Sequence, residues 1–146
     1  MPPTDTDDVA ESPERERLAD ALIPEVLCGW VARLRAQPDP QLRTDQRGVA
    51  EQNLLRTLLR MAQAERDDEH ALHALTLAAC RYGALQPIHR VDPGEVTRQF
   101  GCLRSEIARV VTRRAIPEQE SFALLMRVDA ALSVATLAVI RAWHSR

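Results

Sequence analysis

The stretch that decides the fold runs from Pro117 to Trp143 and reads PEQESFALLMRVDAALSVATLAVIRAW. After Phe122 it carries only three charged residues: Arg127, Asp129 and Arg141. Gly is scarce in this chain and most Pro residues lie near segment ends, which favours helices over strands. The stretch therefore predicts one long apolar helix at the C-terminal end of an all-α domain.

Two sides of this helix are apolar. On a helical wheel, one side holds Phe122, Leu125, Met126, Leu132, Ile140 and Trp143, with Asp129, Ser133 and Thr136 in its middle. The second side holds Leu124, Val128, Ala131, Ala135 and Ala138. A bundle of this size rarely covers a helix all round, so the surplus apolar surface predicts a homodimer seam or a docking face for another chain.

Asp129 needs a partner if its side of the helix is buried. A carboxylate within an apolar stripe is costly to bury unless it is paired. Arg104 lies at the edge of the apolar stripe of the preceding helix, so we predict an Arg104–Asp129 ion pair. We assign the following residues to an interaction surface or structural switch: Arg104, Asp129, Leu132, Ser133, Thr136 and Trp143.

The rest of the chain predicts helices over about residues 13–36, 41–65, 69–84 and 93–114. Three cap signals support these starts: Ser12-Pro13, Asp67-Asp68 and Asp92-Pro93. Pro24 should bend or split the first helix. The predicted fold is an all-α bundle of four to five helices.

The N-terminus is strongly acidic. Residues 1–20 contain seven acidic side chains against Arg15 and Arg17. We expect residues 1–12 to form a disordered acidic tail and residues 13–146 to form a single helical-bundle domain.

Cysteine usage and the N-terminal composition predict a cytoplasmic protein. Cys28, Cys80 and Cys102 are odd in number and lack zinc spacing, which indicates free thiols in a reducing compartment. The acidic N-terminus does not have the composition of a signal peptide. The C-terminal apolar stretch approaches the length of a membrane span, but its internal charges favour a buried or oligomer-forming helix.

The sequence contains no GxSxG, GxxxxGK[ST] or HExxH motif, so we expect neither an enzyme nor a bound cofactor. Two alternatives remain. His70 and His73 lie one helical turn apart and could bind a metal or haem. The arginines of the segment from Arg98 to Arg114 could contact nucleic acid, although a solvated or partner-facing basic helix fits them better.

A family resemblance covers the C-terminal half best. Its residues are Tyr82-Gly83, the run VDPGEVTRQFGCLR from Val91 to Arg104, and Asp129-Ala130-Ala131-Leu132. Together they resemble the N-terminal sensory domain of RsbR-type co-antagonists, which also precedes some bacterial histidine kinases. The sequence departs from that pattern at Tyr82, where the pattern has His, at Gln86, where it has a basic residue, and at Gln99-Phe100, where it has Glu-Tyr. Because of these departures, the resemblance does not imply that this chain binds the family's ligand.

The resemblance implies a non-enzymatic bacterial signalling module in stress or two-component-type regulation. Domains of the family usually pass their signal to a kinase or to a phosphorylatable domain. We therefore expect a homodimer with a separate kinase or regulatory protein as partner, and neither a nucleic-acid nor a membrane partner.

Overall fold

The computed structural model describes residues 4–35, 44–64, 68–86 and 92–145. Within those ranges, side-chain surroundings are described for residue 18, residues 20–34 and residues from 48 onward. The described residues form five α-helices and no strand: α1 Thr4–Arg35, α2 Thr44–Gln63, α3 Glu69–Ala84, α4 Pro93–Arg113 and α5 Glu118–His144. The predicted all-α fold with a long apolar C-terminal helix is confirmed.

Two of the predicted helix starts are capped by aspartate side chains. The Asp68 carboxylate accepts a hydrogen bond from the backbone N–H of Ala71 at 3.0 Å. The Asp92 carboxylate accepts one from the backbone N–H of Gly94 at 3.2 Å, with Pro93 at the first helical position. Each cap satisfies one N–H that has no partner inside the helix, which fixes where α3 and α4 begin.

The first helix differs from the prediction both at Ser12-Pro13 and at Pro24. Its backbone is helical from Thr4, so Ser12-Pro13 lies inside α1 and not at its start, and part of the expected tail 1–12 is helical. Pro24 does not split the helix. Pro24 and Asp20 are both exposed, so water can solvate the Asp20 carbonyl that loses its N–H donor. The division into 1–12 and 13–146 stays a prediction.

Each helix packs against two or three others around one shared hydrophobic core. α5 packs against α2, α3 and α4, while α1 packs against α2 and α4, and α2 packs against α3. α4 and α5 form a hairpin with a short turn, in which Ala115 adopts a left-handed backbone with φ 54°. That conformation closes many helices, usually with Gly at this place.

Three of the five aromatic residues of the chain pack against one another in the core. The ring centroids of Trp30 and Tyr82 are 5.8 Å apart, and those of Tyr82 and Phe100 are also 5.8 Å apart. They link α1, α3 and α4 around a core filled mainly by Leu, Val, Ile and Ala.

The structure determines which side of α5 faces the core, a choice that the sequence left open. The second side is turned into the core, together with Val139 and with Leu132 from the edge of the first side; the buried residues are Leu124, Val128, Ala131, Leu132, Ala135, Ala138 and Val139. Phe122 and Met126 lie on the outer side. Small side chains on the inner side let the helices approach closely. A Cβ added at Gly83 of α3 would lie 3.1 Å from Cγ1 of Val139.

Candidate interaction surface

The predicted ion pair between α4 and α5 is present. Nε of Arg104 donates to Oδ1 of Asp129 at 2.7 Å, and Nη2 donates to Oδ2 at 3.3 Å. The side chains are 45 % and 50 % exposed, so the pair lies on the outside of the hairpin and Asp129 is not buried as the sequence suggested. The hydrogen bond and charge of Asp129 raise the pKa of Arg104. Two parallel hydrogen bonds fix the geometry of the pair.

A shallow groove of about 220 Å³ lies beside this ion pair, between α4 and α5. Its lining mixes hydroxyl groups and the Arg104 guanidinium with apolar side chains; the lining residues are Thr97, Phe100, Gly101, Arg104, Leu132, Ser133 and Thr136. The structure therefore brings together five of the six residues assigned to the interaction surface, with Asp129 joined through Arg104.

Trp143, the sixth, lies elsewhere. Its Nε1 donates to the carbonyl of Gly83 at 2.9 Å and its ring is half-buried between α3 and α5. The indole therefore ties the end of α5 to α3. Trp143 therefore lies apart from the groove, and its role in an interaction surface or structural switch stays a prediction.

The outward side of α5 carries large apolar side chains. Phe122, Met126 and Leu137 are 66 %, 58 % and 57 % exposed. The exposed residues Asp129, Ala130 and Ser133 lie on the same side, and we call the six residues the outer α5 stripe: Phe122, Met126, Asp129, Ala130, Ser133 and Leu137. Ala123 and Arg127 are exposed as well, but they lie further round the helix. Leu137 was missed in the sequence analysis, although its spacing of four from Ser133 places it on the same side.

The arginines of α4 do not form one cationic face. Arg98 pairs with Glu95 at 2.7 Å, Arg109 with Glu106 at 2.9 Å, and Arg114 with Glu25 of α1 at 2.9 Å. Arg104 pairs with Asp129 on another side of the helix. Because carboxylates hold four of the five guanidinium groups in this segment, the geometry gives little support to the nucleic-acid alternative.

His70 and His73 are both exposed on α3. Among the residues that the structure describes, no group of three or more His, Cys, Asp or Glu side chains could hold a metal ion. The described part of the chain therefore offers no third ligand for the metal alternative. The thiols of Cys28, Cys80 and Cys102 are free, as the spacing predicted.

A buried polar network lies where the core meets the α3–α4 end of the bundle. The Tyr82 hydroxyl donates to Oε1 of Gln99. Nε2 of Gln99 donates to Oε1 of Gln86 at 3.3 Å and to Oε1 of Glu95 at 3.2 Å. Nε1 of Trp30 donates to the Gln99 carbonyl at 3.0 Å. Tyr82, Gln86 and Gln99 are buried, so these bonds replace solvation by water.

Comparison with protein-family models, with curated proteins and with solved structures found no match for this chain. The resemblance to RsbR-type sensory domains therefore stays a prediction from the quoted motifs.

By length and composition, α5 is the one described helix that could cross a membrane. Its most apolar window has a mean hydropathy of 1.9, and 39 % of that window is buried inside the bundle. Core helices of soluble proteins meet the same criterion, so this observation alone is weak evidence for a membrane span.

Proposed function

We propose that this protein is a non-enzymatic bacterial signalling module of the cytoplasm. It acts through helix packing and protein–protein contact at the α4–α5 hairpin, as a homodimer, and transmits its state to a separate kinase or regulatory protein. The motifs that resemble RsbR-type sensory domains suggest stress or two-component-type regulation as the setting.

The observation that carries this proposal is the exposure of Phe122. The chain has only five aromatic residues, and the other four lie in the core or bond to another helix. Leaving an aromatic ring, Met126 and Leu137 exposed on one side of one helix is unfavourable for an isolated bundle. Several large exposed apolar side chains on one side of a helix are typical of an interface with another protein.

The Arg104–Asp129 pair suggests how a signal could change the hairpin. It bridges α4 and α5 on the surface, beside the groove, and both side chains remain accessible to a partner. A contact that binds either charge would compete with the pair and alter how the two helices pack. Such a change requires a ligand or partner that binds the two packings with different affinity.

The test of this proposal is the mass of the purified protein in solution, measured by native mass spectrometry and light scattering over a dilution series. We expect a dimer that dissociates on dilution. The Phe122→Ser/Met126→Ser double variant should be monomeric and keep its helical circular dichroism. Val49→Ser is the matched control, because Val49 on α2 is 60 % exposed and lies outside the outer α5 stripe.

A protein that is monomeric at every concentration would overturn the homodimer. Val49→Ser dissociating like the double variant would show that the interface is not on α5. A dimer sensitive only to the α5 changes would support the proposal, and its mass would also reveal any bound ligand.

A further inference from the structure

The groove between α4 and α5 is open because a side chain is missing from the middle of α4. Gly29 and Gly83 lie close to atoms of another helix, so packing explains why these two positions have no side chain. A Cβ added at Gly101 meets no atom within 4 Å. Gly inside a helix is less stable than Ala, and packing does not require it at this position.

The two ends of the groove differ in polarity. The helices of the hairpin run antiparallel, and Arg104 lies opposite Asp129. Thr97 lies seven residues before Arg104, at the other end of the groove, where Thr136 of α5 is level with it. The groove therefore has a cationic end and a hydroxyl end, separated by about 10 Å along the helix direction.

The three hydroxyl groups of the groove use their hydrogen atoms within their own helices. The donor and acceptor pairs are Thr97 to the Pro93 carbonyl at 2.8 Å, Ser133 to the Asp129 carbonyl at 3.1 Å, and Thr136 to the Leu132 carbonyl at 2.8 Å. The hydroxyl oxygens keep lone pairs, so they can accept hydrogen bonds from a ligand but have no hydrogen left to donate.

The donor of the groove is the Arg104 guanidinium. It carries five N–H groups, of which two donate to Asp129, so up to three remain for a ligand. A complementary ligand therefore has an oxyanion at the Arg104 end and an O–H or N–H donor at the threonine end. The volume of about 220 Å³ has room for about seven water molecules, which limits the ligand to about seven non-hydrogen atoms.

We propose that the groove binds a short aliphatic acid with an O–H or N–H donor at its far end. Its carboxylate accepts hydrogen bonds from Arg104, and its donor group faces Thr97 and Thr136. The acid competes with Asp129 for one guanidinium, so binding weakens the bridge between α4 and α5. This inference deepens the proposed function by naming a ligand class, and it rests on that proposal only for the effect of the ligand on the dimer.

A nuclear magnetic resonance titration of the full chain with 4-hydroxybutyrate, an acid of about this size, tests the site. The amide signals of Gly101 and Ser133 should shift to saturation with a Kd on the order of 1 mM. Butyrate lacks the hydroxyl and should bind about threefold to tenfold more weakly. The uncharged 1,4-butanediol should bind at least about tenfold more weakly. The absence of a saturable shift with 4-hydroxybutyrate, or equal shifts with all three compounds, would overturn the inference.

Two charge variants should change the affinity in opposite directions. Arg104→Gln removes the cation and should lower the affinity for 4-hydroxybutyrate at least about tenfold. Asp129→Asn releases the Arg104 donors and removes a repelling charge, so it should raise the affinity about threefold to tenfold. Both changes break the same ion pair, and a site that needs the pair only for its structure would lose affinity in both. That result would overturn the inference.

Two glycine variants test the location. Gly101→Leu fills the groove and should abolish binding of 4-hydroxybutyrate, while its circular dichroism stays helical. Gly48→Leu is the matched control, because Gly48 has equally open surroundings on α2 and should leave the affinity unchanged. Binding that persists in Gly101→Leu would overturn the inference.

A dilution series in the presence of 4-hydroxybutyrate separates this inference from the proposed function. The groove lies at the hairpin of the proposed homodimer, so the bound acid should weaken the dimer, as filling the groove does. A protein that is always monomeric but binds the acid at Gly101 would overturn the homodimer and support the ligand site. A dimer whose groove residues do not respond to the acid would overturn the ligand site and leave the proposed function standing.

Discussion

Gly29 of α1 lies directly against the carboxylate of Glu106 in α4. A Cβ added at residue 29 would be 2.7 Å from Cδ of Glu106 and closer still to Oε2, so the two helices can approach here only because Gly has no side chain. The carboxylate is nearly buried and bonds to Arg33 at 2.8 Å and to Arg109 at 2.9 Å. This cluster joins the first helix to the hairpin that carries the candidate interaction surface.

Gly29→Ala should destabilise the protein by about 1–3 kcal/mol, because the methyl group must displace the Glu106 carboxylate from its two arginines. Gly48→Ala is the matched control. Gly48 is also helical, and a Cβ there meets no atom within 4 Å. It should stabilise the protein by about 0.5–1 kcal/mol, the usual gain when a helical Gly becomes Ala. Urea unfolding measures both changes.

The Glu106→Ala background identifies the cause. If the clash with the carboxylate is the reason, Gly29→Ala should be harmless or stabilising once Glu106 is absent. A cost that stays the same in that background would contradict the explanation. Arg33 and Arg109 are nearly half exposed, so their separate contributions to stability should be small.

The buried network around Gln99 gives a second prediction. Tyr82→Phe removes the hydroxyl that donates to Gln99 Oε1 and should cost about 1–3 kcal/mol, because that oxygen loses its donor inside the core. Gln99→Leu should also destabilise the protein. In the double variant the two costs should not add, with a coupling of about 0.5–3 kcal/mol. Strictly additive costs in thermal or urea unfolding would show that the bond contributes little.

Three departures from the family pattern meet in this network. Tyr82, Gln86 and Gln99 stand where the resembled pattern has His, a basic residue and Glu, and here Gln99 is hydrogen-bonded to both of the others. In this chain these polar groups satisfy one another within the core. In this chain the three side chains therefore have a structural role, because they satisfy one another's hydrogen bonds in the core.

Acid should weaken the contact between α1 and the end of α4. The hydrogen bond and charge of Arg114 lower the pKa of Glu25 below its ordinary value of 4.5, with Oε1 accepting from Nη2 at 2.9 Å. A carboxylate whose pKa is lower in the folded state stabilises the fold above its unfolded pKa. That contribution is lost as the pH falls below 4.5 and through the folded pKa.

The urea midpoint of the wild type should therefore fall between about pH 6 and about pH 3, and the Glu25→Gln variant should show a smaller fall. Asp20→Asn is the control, as Asp20 is an exposed carboxylate on the same helix. If the urea midpoint of Glu25→Gln falls with pH as steeply as that of the wild type, the Arg114–Glu25 pair does not contribute to the acid dependence of stability.

The sequence predicted the helices well where a local signal sets their ends. Asp68 and Asp92 cap α3 and α4 where expected, because capping depends on residues within one turn. It predicted the Arg104–Asp129 pair, but on the argument that Asp129 is buried, whereas the pair is half-exposed on the outside of the hairpin. It did not predict which side of α5 faces the core, since apolar residues occur on both sides. The choice depends on which side lets α2 and α3 approach closely, and that is a property of the assembled bundle.

The last prediction tests whether the α4–α5 groove belongs to the interface. Gly101 lines the groove, and a Cβ added there meets no atom within 4 Å. Gly101→Leu should thus fill the groove without harming the bundle and should raise the free energy of unfolding by about 0.5–1 kcal/mol. The proposed homodimer forms at the α4–α5 hairpin, where this groove lies. The same substitution should therefore weaken the dimer about tenfold in sedimentation equilibrium, the effect of about 1.4 kcal/mol of lost contact. Gly48→Leu should give the same gain in stability with no change in dimer affinity. An unchanged dimer affinity in Gly101→Leu would place the groove outside the contact and shift the interface toward the α3 side of α5.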